Sequence, residues 1–315
     1  MKLKVLKPLW ASAVGEMTIQ ISELVSERHL TALAELLNDE YQNSFEFIPF
    51  DAERIKYQTL RRKMSVLVAE EKGDAVGLIG THLEERGEVD ISWLAARAGY
   101  ERKRIENLLV GTVERKAEGD SVSAGVDVES PRIKDWIERG YSLNPGWLRM
   151  SAKLGNLREI PKVATDTELR GLKLSEEEKL VEVMNTGFGW RRLQAGTLEN
   201  WRVEDPPFTE DWVQVAEVSG RIVSAVVARP DTESNKYLHL KRGTLGPAAT
   251  LPEFRSRHLA SALTARAMNL LFEKGMESVR LGTSELNIPS QTLLRSLGFQ
   301  VDNVRKIMRK KLKNA

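Results

Sequence analysis

The chain of 315 residues has no cysteine. That excludes disulfides, thiolate nucleophiles and cysteine-based zinc sites together. It fits a reducing compartment, and the cytoplasm is the expected location. Long apolar runs are missing too: no stretch approaches the ~20 residues of a membrane-spanning helix. Charge of one sign is also lacking, since 47 Lys plus Arg stand against 45 Asp plus Glu, a net +2. Such balance gives no electrostatic footprint for nucleic acid, so neither nucleic acid nor a membrane is an expected partner. The four histidines, His29, His82, His239 and His258, are too dispersed to suggest a metal site. The patterns Gly-x-x-x-x-Gly-Lys-(Ser/Thr), His-Glu-x-x-His and Gly-x-Ser-x-Gly are absent. Residues 1–7 carry the charges of a signal peptide and Ala11-Ser12-Ala13 mimics a cleavage site. The apolar stretch between them is short and broken by Pro8, so no secretory leader is expected.

What is present reads as a globular protein, 41% hydrophobic and 29% charged, long enough for about two domains. Hydrophobic periodicity and turn signals predict the first half in order. A strand at 18–24 precedes helices at 27–43 and 51–63, the second capped by Asp51. Strands at 65–71, 75–83 and 88–95 follow, then a helix at 102–118, a strand at 122–128, a helix at 131–139 and a strand near 147–152. The second half repeats this order: a strand at 167–173, a helix capped by Ser175, and a shorter helix at 197–203. Next come a hairpin (212–218 and 222–228), a long extended segment at 237–251 and a helix at 258–274. A strand at 278–283, a helix at 289–297 and a strand near 306–311 close the chain. The repetition points to internal duplication. The expected fold class is α/β, of mixed α+β type. Two tandem domains, 1–155 and 156–315, would each hold a mostly antiparallel mixed sheet flanked by helices, joined through the polar segment around Pro161.

Residues 246–263 read as a strand turning into the first turn of a long amphipathic helix. Unpaired N–H groups at a positive dipole end suit a phosphate or pyrophosphate. Arg255 and Arg257 add side-chain charge there, and Ala260, Ser261 and Ala262 are small enough for close approach of a ligand. A solvated strand-to-helix connection would look the same without further context. That context is a resemblance. Residues 248–261 resemble the acyl-CoA motif of the GNAT superfamily of N-acetyltransferases: a strand, a Pro, then (Arg/Gln)-x-x-Gly-x-(Gly/Ala), with Arg255 in the first position and Ala260 in the last. Asn287-Ile-Pro-Ser290 and Leu293-Leu294-Arg-Ser-Leu-Gly-Phe299 look like the family's Asn-x-x-Ala and Leu-Tyr-x-x-Leu-Gly-Phe segments.

The resemblance implies two tandem GNAT-like domains, as in mycothiol synthase and other tandem acetyltransferases. It also implies transfer of acetyl from acetyl-CoA, as co-substrate, to a primary amine of a small-molecule or peptide acceptor. By position, Ala248, Ala249 and Thr250 would meet the pantetheine arm, and Ser256, Arg257, His258, Leu259, Ala260 and Ser261 the pyrophosphate. Asn287 would bond the arm or a water, unless it serves only its loop. Three residues depart from the pattern: His258 replaces the central glycine, Leu294 the tyrosine acid, and Gly282 stands where some relatives carry a glutamate base. Glu285 is the candidate base by position, with Glu217 and His239 as weaker options. A non-catalytic acyl-CoA-binding regulatory module is the alternative, and a scaffold without ligand a third.

In the first half, Glu101 aligns with the Arg/Gln position, Arg104 with the glycine and Glu106 with the small residue. Trp136 takes the tyrosine position and Glu129 the asparagine. A carboxylate at Glu106 would repel a pyrophosphate, so this domain is expected to keep the fold without the cofactor site. Trp93, Trp136 and Trp147 are expected to pack cores or the contact between domains, or alternatively to wall the acceptor pocket of the other half.

Overall fold

The fold is taken from a computed structural model that describes residues 19–24, 27–84, 87–99 and 101–312. The signal-like segment at 1–13 lies outside the described residues, as does Thr18 of the first expected strand. The chain forms two compact units. Unit 1 comprises residues 1–124, 138–142 and 309–315, and unit 2 residues 125–137 and 143–308.

The first elements are β1 (Ile19–Glu23), α1 (Leu30–Tyr41), α2 (Ala52–Lys56), β2 (Ser65–Glu71), β3 (Asp74–Leu83), β4 (Val89–Ala96), α3 (Arg102–Lys116) and β5 (Ser121–Asp127). Asp51 caps α2 as its residue type predicts, its carboxylate accepting from Arg54 N–H at 2.7 Å. The strands of unit 1 run β1-β2-β3-β4-β5, antiparallel except for β4 and β5, which pair in parallel over Val89–Ile91 and Val122–Ala124. Leu30, Leu33 and Leu37 of α1 bury against Val66, Val68 and Leu78. Trp93 closes this core, its ring edge-on to Phe50 at 5.4 Å.

The remaining elements are α4 (Arg132–Glu138), β6 (Ser142–Lys153), β7 (Thr167–Gly171), α5 (Glu177–Phe188), α6 (Thr197–Glu204), β8 (Val213–Val218), β9 (Arg221–Pro230), α7 (Thr232–Tyr237), β10 (Arg242–Thr250), α8 (Leu259–Glu273), β11 (Ser278–Ser284), α9 (Ile288–Ser296) and β12 (Gln300–Lys311). In unit 2 the strand order is β12-β6-β11-β10-β9-β8-β7. Unit 2 therefore draws β6 from residues that precede Gly155. Leu263, Met268 and Leu271 of α8 are fully buried on the sheet; each contributes about 1.5–3 kcal/mol through burial.

Three local expectations need correction. Ser175 is not the cap of α5: a single 3-10 turn, Leu174–Glu176, intervenes, and the Glu176 carboxylate instead accepts from Lys173 N–H. The extended segment expected at 237–251 begins only at Arg242, because α7 and a turn through His239 (φ 54°) occupy 232–241. Trp93 and Trp136 are core residues, but Trp147 is 52% exposed.

Candidate active site

The site in unit 2 grows from a defect in its sheet. β10 and β11 pair in parallel only at Arg242–Thr244 and Ser278–Arg280. Beyond that, β10 continues to Thr250 against β9, and β11 continues to Ser284 against β6. The facing edges of the two strands share no ladder pairs there, so their N–H and C=O groups are open to a ligand. A bulge between Leu245 and Ala248, with Gly246 at φ 118°, starts the divergence; only glycine adopts that backbone without strain.

β10 ends in a tight connection. A 3-10 turn, Pro252–Phe254, leads to Ser256 and His258, both in the left-handed region at φ 62° and 60°. His258 is the N-cap of α8 and provides no side-chain cap. The first N–H of the α8 ladder is that of Ala262, donating to His258 C=O at 3.0 Å. The N–H groups of Leu259, Ala260 and Ser261 precede it, at the positive end of a 15-residue helix. His258 stands in a left-handed backbone that favours glycine, and its side chain is exposed.

The two arginines divide the work. Arg255 ties the turn down: Nη2 donates to Gly187 C=O at 3.0 Å and Nε to Thr250 C=O at 3.4 Å. Arg257 is exposed, its guanidinium 4.8 Å from the Phe254 ring. Neither pairs with a carboxylate among the described residues. Ala248 is exposed, while Ala249 and Thr250 are half-buried. A Cβ on Gly187 would stand 2.7 Å from the Ala249 Cβ, so this glycine lets the end of α5 lie directly on β10. Ser224 joins from β9, its Oγ 2.7 Å from Thr250 Oγ1 and donating to Ala249 C=O at 3.1 Å. Neither Gly187 nor Ser224 carries a motif, and only the observed register reveals them.

On the β11 side, Gly282 is exposed and a Cβ there would meet nothing within 4 Å. Glu285 is fixed at the strand end: Oε1 accepts from Lys306 Nζ and Oε2 from Gly146 N–H, both at 2.6 Å. The Lys306 bond, aided by that N–H, lowers its pKa. A carboxylate so held is a weaker proton acceptor than a free one. Asn287 is the N-cap of α9, accepting from Ser290 N–H at 3.2 Å. Thr283 is buried and its Oγ1 donates to Ser290 Oγ at 3.1 Å. Leu294 is buried in the core. Glu217 is ion-paired to Arg170, and His239 is exposed. Among the described residues, no group of three His, Cys, Asp or Glu side chains could hold a metal.

In unit 1 the equivalent helix start differs. Glu106 is 2% exposed and accepts from Arg102 at 3.0 Å and Arg139 at 2.7 Å. An internal carboxylate thus occupies the cations that a bound anion would need.

A family model described as the acetyltransferase (GNAT) family matches residues 177–299. That match spans 123 of the 315 residues. The match begins at α5 and ends at the last residue before β12. A search among curated proteins finds no match in sequence. Solved structures do match over nearly the whole chain. A GCN5-related N-acetyltransferase from Sphaerobacter thermophilus is 16% identical, with a TM-score of 0.69 over 93% of this chain and 96% of that one. A tandem GNAT protein from the clavulanic acid biosynthesis pathway is 14% identical, with a TM-score of 0.68 over 95% and 100%. A glucosamine N-acetyltransferase region of a fungal multi-domain β-N-acetylglucosaminidase is 14% identical, with a TM-score of 0.73 over 96% of this chain and 39% of that one. Identity this low fixes the fold, which is that of tandem GNAT proteins. No helix among the described residues is long and apolar enough to cross a membrane.

Proposed function

We propose that the GNAT domain binds acetyl-CoA along the open edge of β10 and transfers its acetyl group to a primary amine in a ternary complex. Acyl transfer is the chemistry of the matched family. The observation that carries the finer reading is the divergence of β10 from β11 beyond Thr244 and Arg280, which ends at the bare N-terminus of α8. The residues fit the co-substrate. Ala248, Ala249 and Thr250 offer backbone groups to an amide-bearing arm. The turn from Ser256 to Ser261 offers N–H groups to a pyrophosphate, with Arg257 as the mobile cation and Arg255 as the residue that holds the turn. Asn287 keeps α9 in place as its cap.

Acetyl-CoA supplies the acyl group. The amine nitrogen bonds to the carbonyl carbon as the carbon–sulfur bond breaks, and the amine's proton passes to the departing thiolate, directly or through solvent. Backbone N–H groups on the open strand edge polarise the carbonyl, and positioning supplies much of the acceleration. With Gly282 in place of a base and Leu294 in place of an acid, proton transfer falls to water or to the acceptor itself. A missing base forgoes only about 10²–10⁴-fold. The absence of cysteine supports direct attack and suits a reducing compartment such as the cytoplasm. The chain consists, in this reading, of two repeats, 1–155 and 156–315. Two features support this: β5 and β11 share Ser-Val-x-x-Gly, and each pairs in parallel over three residues with the strand before it. Glu106 supports a first repeat without a second cofactor site.

Gly282 and the buried Leu294 favour one rival, a module that binds acyl-CoA without turnover. Thiol release from acetyl-CoA against an amine panel separates them. Release that depends on an amine is expected; stabilisation by acetyl-CoA with no release across the panel would favour the rival.

A further inference from the structure

The two faces of the strip between β10 and β11 differ in what borders them. Gly243 pairs with Val279, and a Cβ on Gly243 would stand 2.5 Å from the Leu271 side chain of α8. Paired residues project from the same face of a sheet, so Val279 faces α8. The register of β11 against β6 is unbroken, and its alternation puts Leu281 and Thr283 on that face too. Gly282 projects to the opposite face, where a Cβ would meet nothing within 4 Å. The strands part after Thr244 and Arg280. Three residues beyond them stand Pro247, inside the β10 bulge, and Thr283. Thr283 thus borders the open strip on the face that carries α8.

Thr283 is buried, and a buried hydroxyl needs a partner. It finds one on α9, where Oγ1 donates to Ser290 Oγ at 3.1 Å. Ser290 is half-buried, and its N–H donates to Asn287 Oδ1 at 3.2 Å, fixing the first turn of the helix. The Ser290 oxygen therefore accepts, while its own O–H meets no acceptor among the described residues. Leu294 lies one turn further along the same helix face and carries no donor. Pro247, level with Thr283 on β10, has no N–H to offer. A hydroxyl with a spare proton is what this part of the strip presents.

We infer that Ser290 donates a hydrogen bond to the coenzyme A sulfur as it departs, with Thr283 as the positioning residue that aims the hydroxyl. The inference rests on the acetyl-transfer reading above and adds a catalytic residue to it. In that reading the acyl carbonyl lies at the open edge of β10 and the pyrophosphate at the start of α8. The sulfur, next to that carbonyl along the arm, then borders the Thr283–Ser290 pair. When the carbon–sulfur bond breaks, its electron pair goes to sulfur, and a donor already in place stabilises the charge. The bond from Thr283 polarises the Ser290 O–H and strengthens it as a donor. A serine hydroxyl is too weak an acid to surrender its proton to a thiolate. The sulfur therefore takes its proton from the attacking amine, directly or through water, and Ser290 stays protonated. The amine has room on the opposite face, above Gly282.

The chain has no cysteine, so in its complex with coenzyme A the ligand's thiol is the only one present. Its titration is read as ultraviolet thiolate absorbance against pH, with the full chain in excess and the desulfo-coenzyme A complex subtracted. Ser290→Ala is expected to raise the midpoint by about one pH unit, the size of one charge-assisted hydrogen bond. The same variant should lower kcat for thiol release from acetyl-CoA about tenfold, with KM for acetyl-CoA unchanged. Ser290→Ala leaves the buried Thr283 hydroxyl unpaired, so the double variant with Thr283→Val is measured beside it. It should match Ser290→Ala in midpoint and kcat, because the two hydroxyls act as one unit. Thr283→Val alone should shift both by less. The titration decides even without turnover. A midpoint that neither Ser290→Ala nor the double variant moves overturns the inference and leaves the acetyl-transfer reading standing. Failure of the wild-type chain to bind coenzyme A overturns both.

Discussion

His258 stands in a backbone conformation that costs a non-glycine residue about 1–2 kcal/mol, at the position where the acyl-CoA motif usually has glycine. The sequence showed the departure; the φ of 60° puts His258 in the left-handed region that favours glycine. His258→Gly should therefore raise stability by about 1 kcal/mol, read as a higher melting temperature, with acetyl-CoA affinity kept. Lower stability would mean that the imidazole makes a contact worth more than the strain. Glu285 shows the opposite limit of sequence reading. Its place after the strand suggested a base, but Lys306 and Gly146, both distant in sequence, hold the carboxylate and lower its pKa. Glu285→Gln is expected to reduce kcat less than about tenfold, where loss of a true general base removes about 10²-fold or more. Such a large loss, with folding intact, would establish Glu285 as the base.

At the scale of elements, the helices and strands were legible because their apolar periods are regular, as in α8 with Leu259, Leu263 and Leu271 on its buried face. The starts of α5 and β10 were not. Ser175 is a good cap by type, yet Glu176 wins because Arg170 anchors it: the carboxylate accepts from Arg170 Nη1 at 2.7 Å and Nη2 at 2.9 Å. That partner lies on the neighbouring strand and leaves no local signal. The Arg170 bonds, helped by the Lys173 N–H and Lys179, hold the Glu176 pKa down at about 2 against an ordinary 4.5. A depressed folded pKa stabilises the fold above the unfolded value, and that stability is lost as pH falls from about 4.5 through about 2. Glu176→Gln should lower the melting temperature at pH 7, on the order of 2 kcal/mol, and flatten its fall between pH 5 and pH 2 (approximate bounds set by the same shift). Parallel wild-type and variant curves over that range would contradict the assignment.

For the whole molecule, a doubled order of elements was expected from the sequence, and the match to solved structures that include a tandem GNAT protein bears out the fold class. Which strand completes which unit was not visible, because pairing between distant strands leaves no mark on local periodicity. β6 lies before Gly155 yet flanks β11 along Ser278–Ser284 and Trp147–Lys153. A fragment of 156–315 would leave the β11 edge bare, a template for aggregation. It should be insoluble or lack a cooperative thermal transition, whereas 143–315 regains one; equal behaviour of the two fragments would show β6 to be dispensable. The central claim is a single acetyl-CoA site on the turn between β10 and α8, and equilibrium dialysis of the full chain against acetyl-CoA tests it most directly. One molecule bound per chain is expected, with affinity weakened about tenfold or more by Arg257→Glu. No binding, two equivalent sites per chain, or an unchanged affinity in Arg257→Glu would contradict it.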